Sequence, residues 1–130
     1  MNSQFDLEYR DASNYRASVT VVVTGEINQD QIDKISRNLE DGMFIIAHQV
    51  GLPTPAEQLH NEFGTSDDDH VFTVIEQWEA DQPTIADFLT EEPATIDMTV
   101  DELAEKIGAA SWDVSGEMER QGLLDCLLSA

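Results

Sequence analysis

The chain predicts a single compact α+β domain, residues 1–130, with an antiparallel sheet of about four strands, helices on one side and a helical C-terminus. Three observations lead there. Two strand-like runs flank a short polar link near the start, a helix with recognisable caps follows them, and the last thirty residues read as helix. Strands and helices that segregate along a chain in this way form α+β rather than doubly wound folds. At 130 residues and 14.5 kDa one core is expected, burying roughly two-thirds of the surface that the unfolded chain would expose.

The elements follow in order. In the run from Gln4 to Arg10, Phe5, Leu7 and Tyr9 alternate with polar neighbours, and Ala17 to Thr24 carries the β-branched Val19, Val21, Val22 and Val23. Asp11-Ala12-Ser13-Asn14 between them is turn chemistry, so the two strands form a hairpin. Asn28 with Gln31 three residues on reads as a capping box. Ile32, Ile35 and Leu39 then share a helical face, and Gly42 stands where a helix C-terminal glycine belongs. Met43 to Ala47 suits a third strand, Gly51-Leu52-Pro53-Thr54-Pro55 breaks the chain, and Ala56 to Phe63 suits a short helical turn.

After the polar turn Gly64 to Asp69, Val71 to Trp78 reads as a fourth strand. Asp81 to Pro93 predicts a loop or one helical turn anchored by Ile85, Phe88 and Leu89. Thr99-Val100-Asp101-Glu102 opens a helix whose Val100, Leu103 and Ile107 share a face until Gly108, and a last helix runs from about Gly116 to Leu128.

Charge sets this chain apart. Its formal net charge is -21, and the 68 residues from 38 to 105 hold 17 aspartates and glutamates without a single lysine or arginine. Such imbalance bears on solubility and partner choice, not on topology. Six bases against 27 acids exclude ordinary nucleic-acid binding, which neutralises phosphates with lysine and arginine. The lone Cys126 permits no internal disulfide and no common zinc site, which fits a reducing cytoplasm. Neither a signal peptide nor a membrane-length apolar run occurs.

No catalytic signature stands out. Asp67-Asp68-Asp69-His70 is the densest ligand-type cluster but lacks the alternation, central glycine and terminal glutamate of a calcium loop, so it reads as a solvated turn. His48, His60 and His70 lie too far apart to form a sequence-local ligand pair, and Cys126 in Leu-Leu-Asp-Cys-Leu-Leu reads as a small buried thiol. Gly-x-Ser-x-Gly, phosphate-binding and dinucleotide motifs are absent from the sequence. Carboxylate pairs are too numerous for any one to mark an acid/base couple. The expectation is therefore a protein that binds, with no catalytic residue, cofactor or metal.

Three explanations of the acidity stay open. A DNA-mimic inhibitor would occupy the basic groove of a nucleic-acid-binding enzyme, with carboxylates two apart on a strand set about 6.7 Å from each other. A salt-adapted surface would serve solubility, although nine isoleucines speak against it. An acidic docking module would meet a basic protein surface without DNA-like geometry. For either binding role the contact residues expected are Asp67, Asp68, Asp69, Glu76, Glu79, Asp81, Glu91 and Glu92. Mimicry carries a condition: a globule of this size averages about one net charge per 330 Å² against about one per 110 Å² on a duplex, so the acids must gather on one face.

Tyr9-Arg10-Asp11-Ala12-Ser13-Asn14-Tyr15-Arg16, Gly25-Glu26-Ile27, Val50-Gly51-Leu52-Pro53 and Asp68-Asp69-His70-Val71 resemble the motifs of a family of small, uncharacterised bacterial proteins associated with plasmids and phages. The likeness covers about residues 5 to 80. It implies no activity, and its setting on mobile elements implies an inhibitor-type role. That family's pattern places an aromatic and a further histidine after Asp-Asp-His, where this chain has Phe72-Thr73, so no metal or catalytic role carries over.

Overall fold

A computed structural model describes residues 1–64, 69–79 and 82–123. Strand β1 (Asn2–Arg10) is the central strand, paired antiparallel with β2 (Arg16–Val23) along its whole length, from Ser3 opposite Val23 to Arg10 opposite Arg16. Its other edge takes β4 (Thr73–Ile75) near the C-terminal end and β5 (Leu89–Thr90) at the start, while β3 (Phe44–Ile45) pairs with β4. The sheet is thus five-stranded and antiparallel, in the order β2-β1-β4-β3 with β5 beside β1. The α+β expectation holds, with one strand more than the sequence indicated.

Period-two alternation decides which face is which. Ser3, Phe5, Leu7 and Tyr9 are buried on the inner face, and Asn2, Gln4, Asp6, Glu8 and Arg10 point the other way. The inner face builds the main core with α1 (Gln29–Ser36) and α3 (Val100–Ala109), where Phe5, Leu7, Val21 and Val23 share one cluster with Ile32, Ile35, Leu103 and Ile107. The capping box read at Asn28 forms in full, Asn28 Oδ1 accepting from Gln31 N–H at 2.8 Å and Gln31 Oε1 from Asn28 N–H at 3.0 Å, whereas at Thr99 only the first half forms, Thr99 Oγ1 accepting from Glu102 N–H at 3.1 Å.

Several boundaries differ from expectation for identifiable reasons. Helix α1 stops at Ser36, and Leu39 reaches the core from the turns that follow. Gly42 is not its cap. Asp41 and Gly42, at φ of +50° and +77°, instead turn the tight hairpin in which Glu40 and Phe44 exchange backbone hydrogen bonds. Asp-Gly is a favoured dipeptide where both central residues need positive φ. Strand β3 ends at Ile45, and Ala47–Val50 is a 3-10 turn.

The expected strand Val71–Trp78 survives only as Thr73–Ile75. Strand parity would turn Trp78 outward with Val74 and Glu76. The 3-10 turn Glu76–Trp78 rotates it inward, where it is buried and its indole N–H donates to Ser36 Oγ at 2.8 Å. Helix α2 (Ala56–Phe63) forms as expected, and Ile85–Asp87 is the expected single turn. Helix α4 (Val114–Gln121) closes at Gly122 in the left-handed region, so the described end of this element falls before the predicted Leu128; residues 124–130, Cys126 among them, lie outside the described residues.

Helix α4 is tied to the body by a buried charge. The Glu117 carboxylate, 2% exposed, accepts from Arg120 Nε at 2.9 Å and Nη2 at 2.6 Å, while Arg120 Nη1 donates to Glu57 at 2.8 Å and Nη2 to Thr54 Oγ1 at 3.1 Å. The hydrogen bond from Glu117 raises the Arg120 pKa further. Removing one member of a buried pair strands the other in low dielectric, at a cost of about 3 kcal/mol or more. Arg120→Ala is therefore expected to lower the urea unfolding free energy by about 3 kcal/mol, and Arg120→Ala/Glu117→Leu to recover most of that loss.

Candidate functional site

The outer face of the sheet carries a cross-strand row, Ser18, Glu8, Val74 and Phe44, set by the registers of β1 with β2 and β4 and of β3 with β4. Beside it lies a cavity of about 230 Å³ lined by Glu8, Arg10, Met43, Phe44, His70, Phe72, Val74 and Glu79. Its floor is apolar and aromatic, with the Phe44 and Phe72 rings 5.9 Å apart. Its rim is charged. The volume is below the range of about 300–1,000 Å³ common for drug-sized ligands.

Two of the lining acids, Glu8 and Glu79, meet Glu76, with carboxylate oxygens of all three within 4.8 Å of one another. Their placement follows from strand parity and one turn: Glu8 and Glu76 project from the outer face, and the 3-10 turn after β4 brings Glu79 back beside them. The Glu76 carboxyl is pushed up to about 7, first by burial, then by its hydrogen bond to Glu8 and by the charges of Glu8, Asp6 and Glu79. Arg10 answers part of the charge, its Nη2 lying 3.2 Å from Glu8 Oε1.

Three carboxylates so placed are suited to hold something positive: a shared proton, a hard cation or a guanidinium. General acid/base chemistry by Glu76 would need a second proton carrier in reach. His70 lines the cavity but both ring nitrogens are engaged by backbone, Nδ1 accepting from Phe72 N–H at 3.0 Å and Nε2 donating to Arg10 O at 2.8 Å. The geometry therefore favours holding a cation over moving a proton.

A second cluster lies behind β1. The Tyr9 hydroxyl donates to Asp69 Oδ1 at 2.5 Å and accepts from His70 N–H at 3.2 Å, while His60 Nε2 of α2 stands 3.3 Å from the same Asp69 oxygen. Burial, reinforced by Asp69, raises the Tyr9 phenol pKa. His60 and His70 thus meet on one tyrosine, with ring centroids 6.2 and 4.8 Å from it, despite their separation in sequence. The network ties α2 and the segment before β4 to the inner face.

The residues expected to contact a partner divide accordingly. Glu76 and Glu79 are brought together, and Glu8, which the charge count of residues 38–105 passed over, joins them. Asp69 has a side chain only 5% exposed and turned toward Tyr9, so it is a structural carboxylate and not a surface one. Glu91 and Glu92 are exposed beyond β5, which pairs with Asn2 and Ser3, about 20 Å along β1 from Glu8. Asp67, Asp68 and Asp81 lie outside the described residues. No signal local in sequence marks Glu8; only the β1–β4 pairing does.

No protein-family model, curated protein or solved structure matches this chain.

Because its pKa stands above the unfolded value of 4.5, the folded state holds the Glu76 proton more tightly than the unfolded chain does. This group therefore favours folding while protonated, and that contribution is lost as pH rises from about 4.5 to about 7. Glu76→Gln, which keeps a hydrogen-bond donor toward Glu8, is expected to raise the melting temperature by on the order of 3 °C at pH 8 and hardly at all at pH 4. Calorimetry across that range checks the sign. A uniform shift at every pH would contradict it.

Proposed function

We propose that this chain is a non-catalytic acidic binding protein that docks a basic protein surface through the outer face of its sheet, in a reducing cytoplasm. The carrying observation is the Glu8, Glu76 and Glu79 cluster beside an aromatic-floored cavity, in a protein whose acids mostly lack ionic partners. Among the described residues, ion pairs reach only Glu8, Glu57, Asp69, Glu105 and Glu117. A surface this negative attracts basic partners over a Debye length and speeds their association.

A DNA-mimic inhibitor of a nucleic-acid-binding enzyme is the narrower reading, favoured by the base-free run from 38 to 105. It asks for carboxylates spread at phosphate-like spacing. The accessible surface of 6952 Å² gives the expected average of about one net charge per 330 Å². Crowding at Glu8, Glu76 and Glu79 goes the other way, because oxygens within 4.8 Å of one another lie closer than the roughly 6.7 Å spacing along a strand that mimicry asks for. Docking to a basic protein surface is therefore the reading preferred here.

Fluorescence anisotropy with a short arginine- and lysine-rich peptide tests it. Affinity is expected to fall about tenfold between roughly 50 and 500 mM salt, and about fivefold or more in Glu8→Gln/Glu76→Gln/Glu79→Gln at fixed salt. Binding that ignores both salt and the triple substitution sinks the proposal. Competition of the peptide site by duplex-binding proteins, with release of their DNA, would promote the mimic reading instead.

A further inference from the structure

We infer that the outer-face cavity is a receptor for one arginine side chain of the basic partner, its stem laid on Val74 and Met43, its guanidinium stacked against Phe44 and Phe72 and paired with Glu79. This rests on the reading of the chain as a binder of basic protein surfaces and adds the residue it selects. The cavity combines two features that a merely charged surface does not need. Its lining combines aromatic and aliphatic side chains, Phe44, Phe72, Met43 and Val74, with the carboxylates of Glu8 and Glu79. An amphipathic cation with a planar head matches that pairing.

Arginine fits better than lysine on three counts. Its planar fork pairs with two oxygens at once, it stacks on aromatic faces, and it surrenders hydration more readily than an ammonium. The molecule already makes the same contact within itself, since the Arg10 guanidinium lies at Glu8 on the cavity's rim. Arg10 reaches one Glu8 oxygen, and among the described residues no ion pair reaches the Glu79 carboxylate. A second guanidinium entering from outside would bring positive charge to Glu79 and Glu8, beside Glu76. The cavity's volume, about 230 Å³, suits one side chain and not a nucleotide or a folded loop.

The test is a titration of the whole ¹⁵N-labelled chain with N-acetylargininamide, N-acetyllysinamide and N-acetylnorleucinamide, followed by amide chemical shifts. The expected result is saturable movement of the Arg10, Phe44, Phe72 and Val74 signals with the arginine probe, about threefold weaker with lysine and absent with norleucine. Glu79→Gln, an exposed substitution, should weaken the arginine probe about threefold or more, and Phe44→Leu should erase its advantage over lysine. Equal response to arginine and lysine, shifts spread over α3 and the β5 end, or no saturable movement would overturn the inference. The arginine-rich peptide separates the two ideas: if it binds in a salt-dependent way without moving the cavity signals, docking stands and the arginine receptor falls. If the arginine probe seats in the cavity but the peptide does not bind, the docking reading falls alone.

Discussion

The two-residue alternation of β1 is the constraint on which the rest of the molecule depends. Ser3, Phe5, Leu7 and Tyr9 enter the protein while Gln4, Asp6, Glu8 and Arg10 face out, and both neighbours of β1 inherit that division through their registers. A slip of one residue would drive Asp6 and Glu8 into the core and expose Phe5 and Leu7, so the register is strongly specified. The inner row anchors the helices. The outer row places Glu8 opposite Val74, and thereby creates the one end of the sheet where three carboxylates meet an aromatic floor. Core and candidate site are two faces of the same pairing.

With only six bases available, where they sit matters. Lys34, Lys106 and Arg120 each occupy the last turn of a helix, α1, α3 and α4, where positive charge offsets the exposed carbonyl end. Lys34 also pairs with Glu105, joining α1 to α3, and Arg120 holds the buried Glu117 together with Glu57. Bases are thus committed to helix ends and helix contacts. The outer sheet face carries Arg10 and Arg16, directly opposite each other, against Asp6, Glu8, Glu76 and Glu79. Self-repulsion is relieved there in part by the Arg10–Glu8 pair, and what remains, added to burial, raises the Glu76 pKa, the response expected of a carboxyl held among like charges.

Much of the fold was legible because its signals are local: the alternation of β1, the β-branched run of β2, the caps at Asn28 and Thr99 and the breaks at Pro53 and Pro55. What was not legible depends on contacts distant in the chain. Trp78 looks like the end of a strand until the core is there to pull it inward, and Leu89-Thr90 is too short to announce a strand without Asn2 and Ser3 beside it. Gly42 read as the end of a helix because a hairpin turn and a helix terminus both call for positive φ. For the candidate site the same limit holds. Glu76 and Glu79 carried a local signal as acids near a strand, Asp69 carried the same signal while serving Tyr9, and Glu8 carried none.

The base-free stretch from residue 38 to 105 therefore has to be judged on the surface and not along the chain. Among the described residues its acids separate into Glu40 and Asp41 in the hairpin turn, Glu57 and Glu62 on α2, Asp69 turned inward, the pair Glu76 and Glu79, Asp87 in its single turn, those beyond β5 and those on α3. A run continuous in sequence becomes several regions in space, while Glu8, from outside the run, completes the densest group. Long-range attraction depends on net charge and survives this dispersal. Short-range selection depends on which carboxylates share a wall with apolar side chains, and among the described residues Glu8 and Glu79 do so in the cavity of Phe44, Phe72 and Val74. Steering and recognition are thus carried by different subsets of the same charges, which is why substitutions at that cavity and substitutions on α3 should have separable effects on affinity and on association rate.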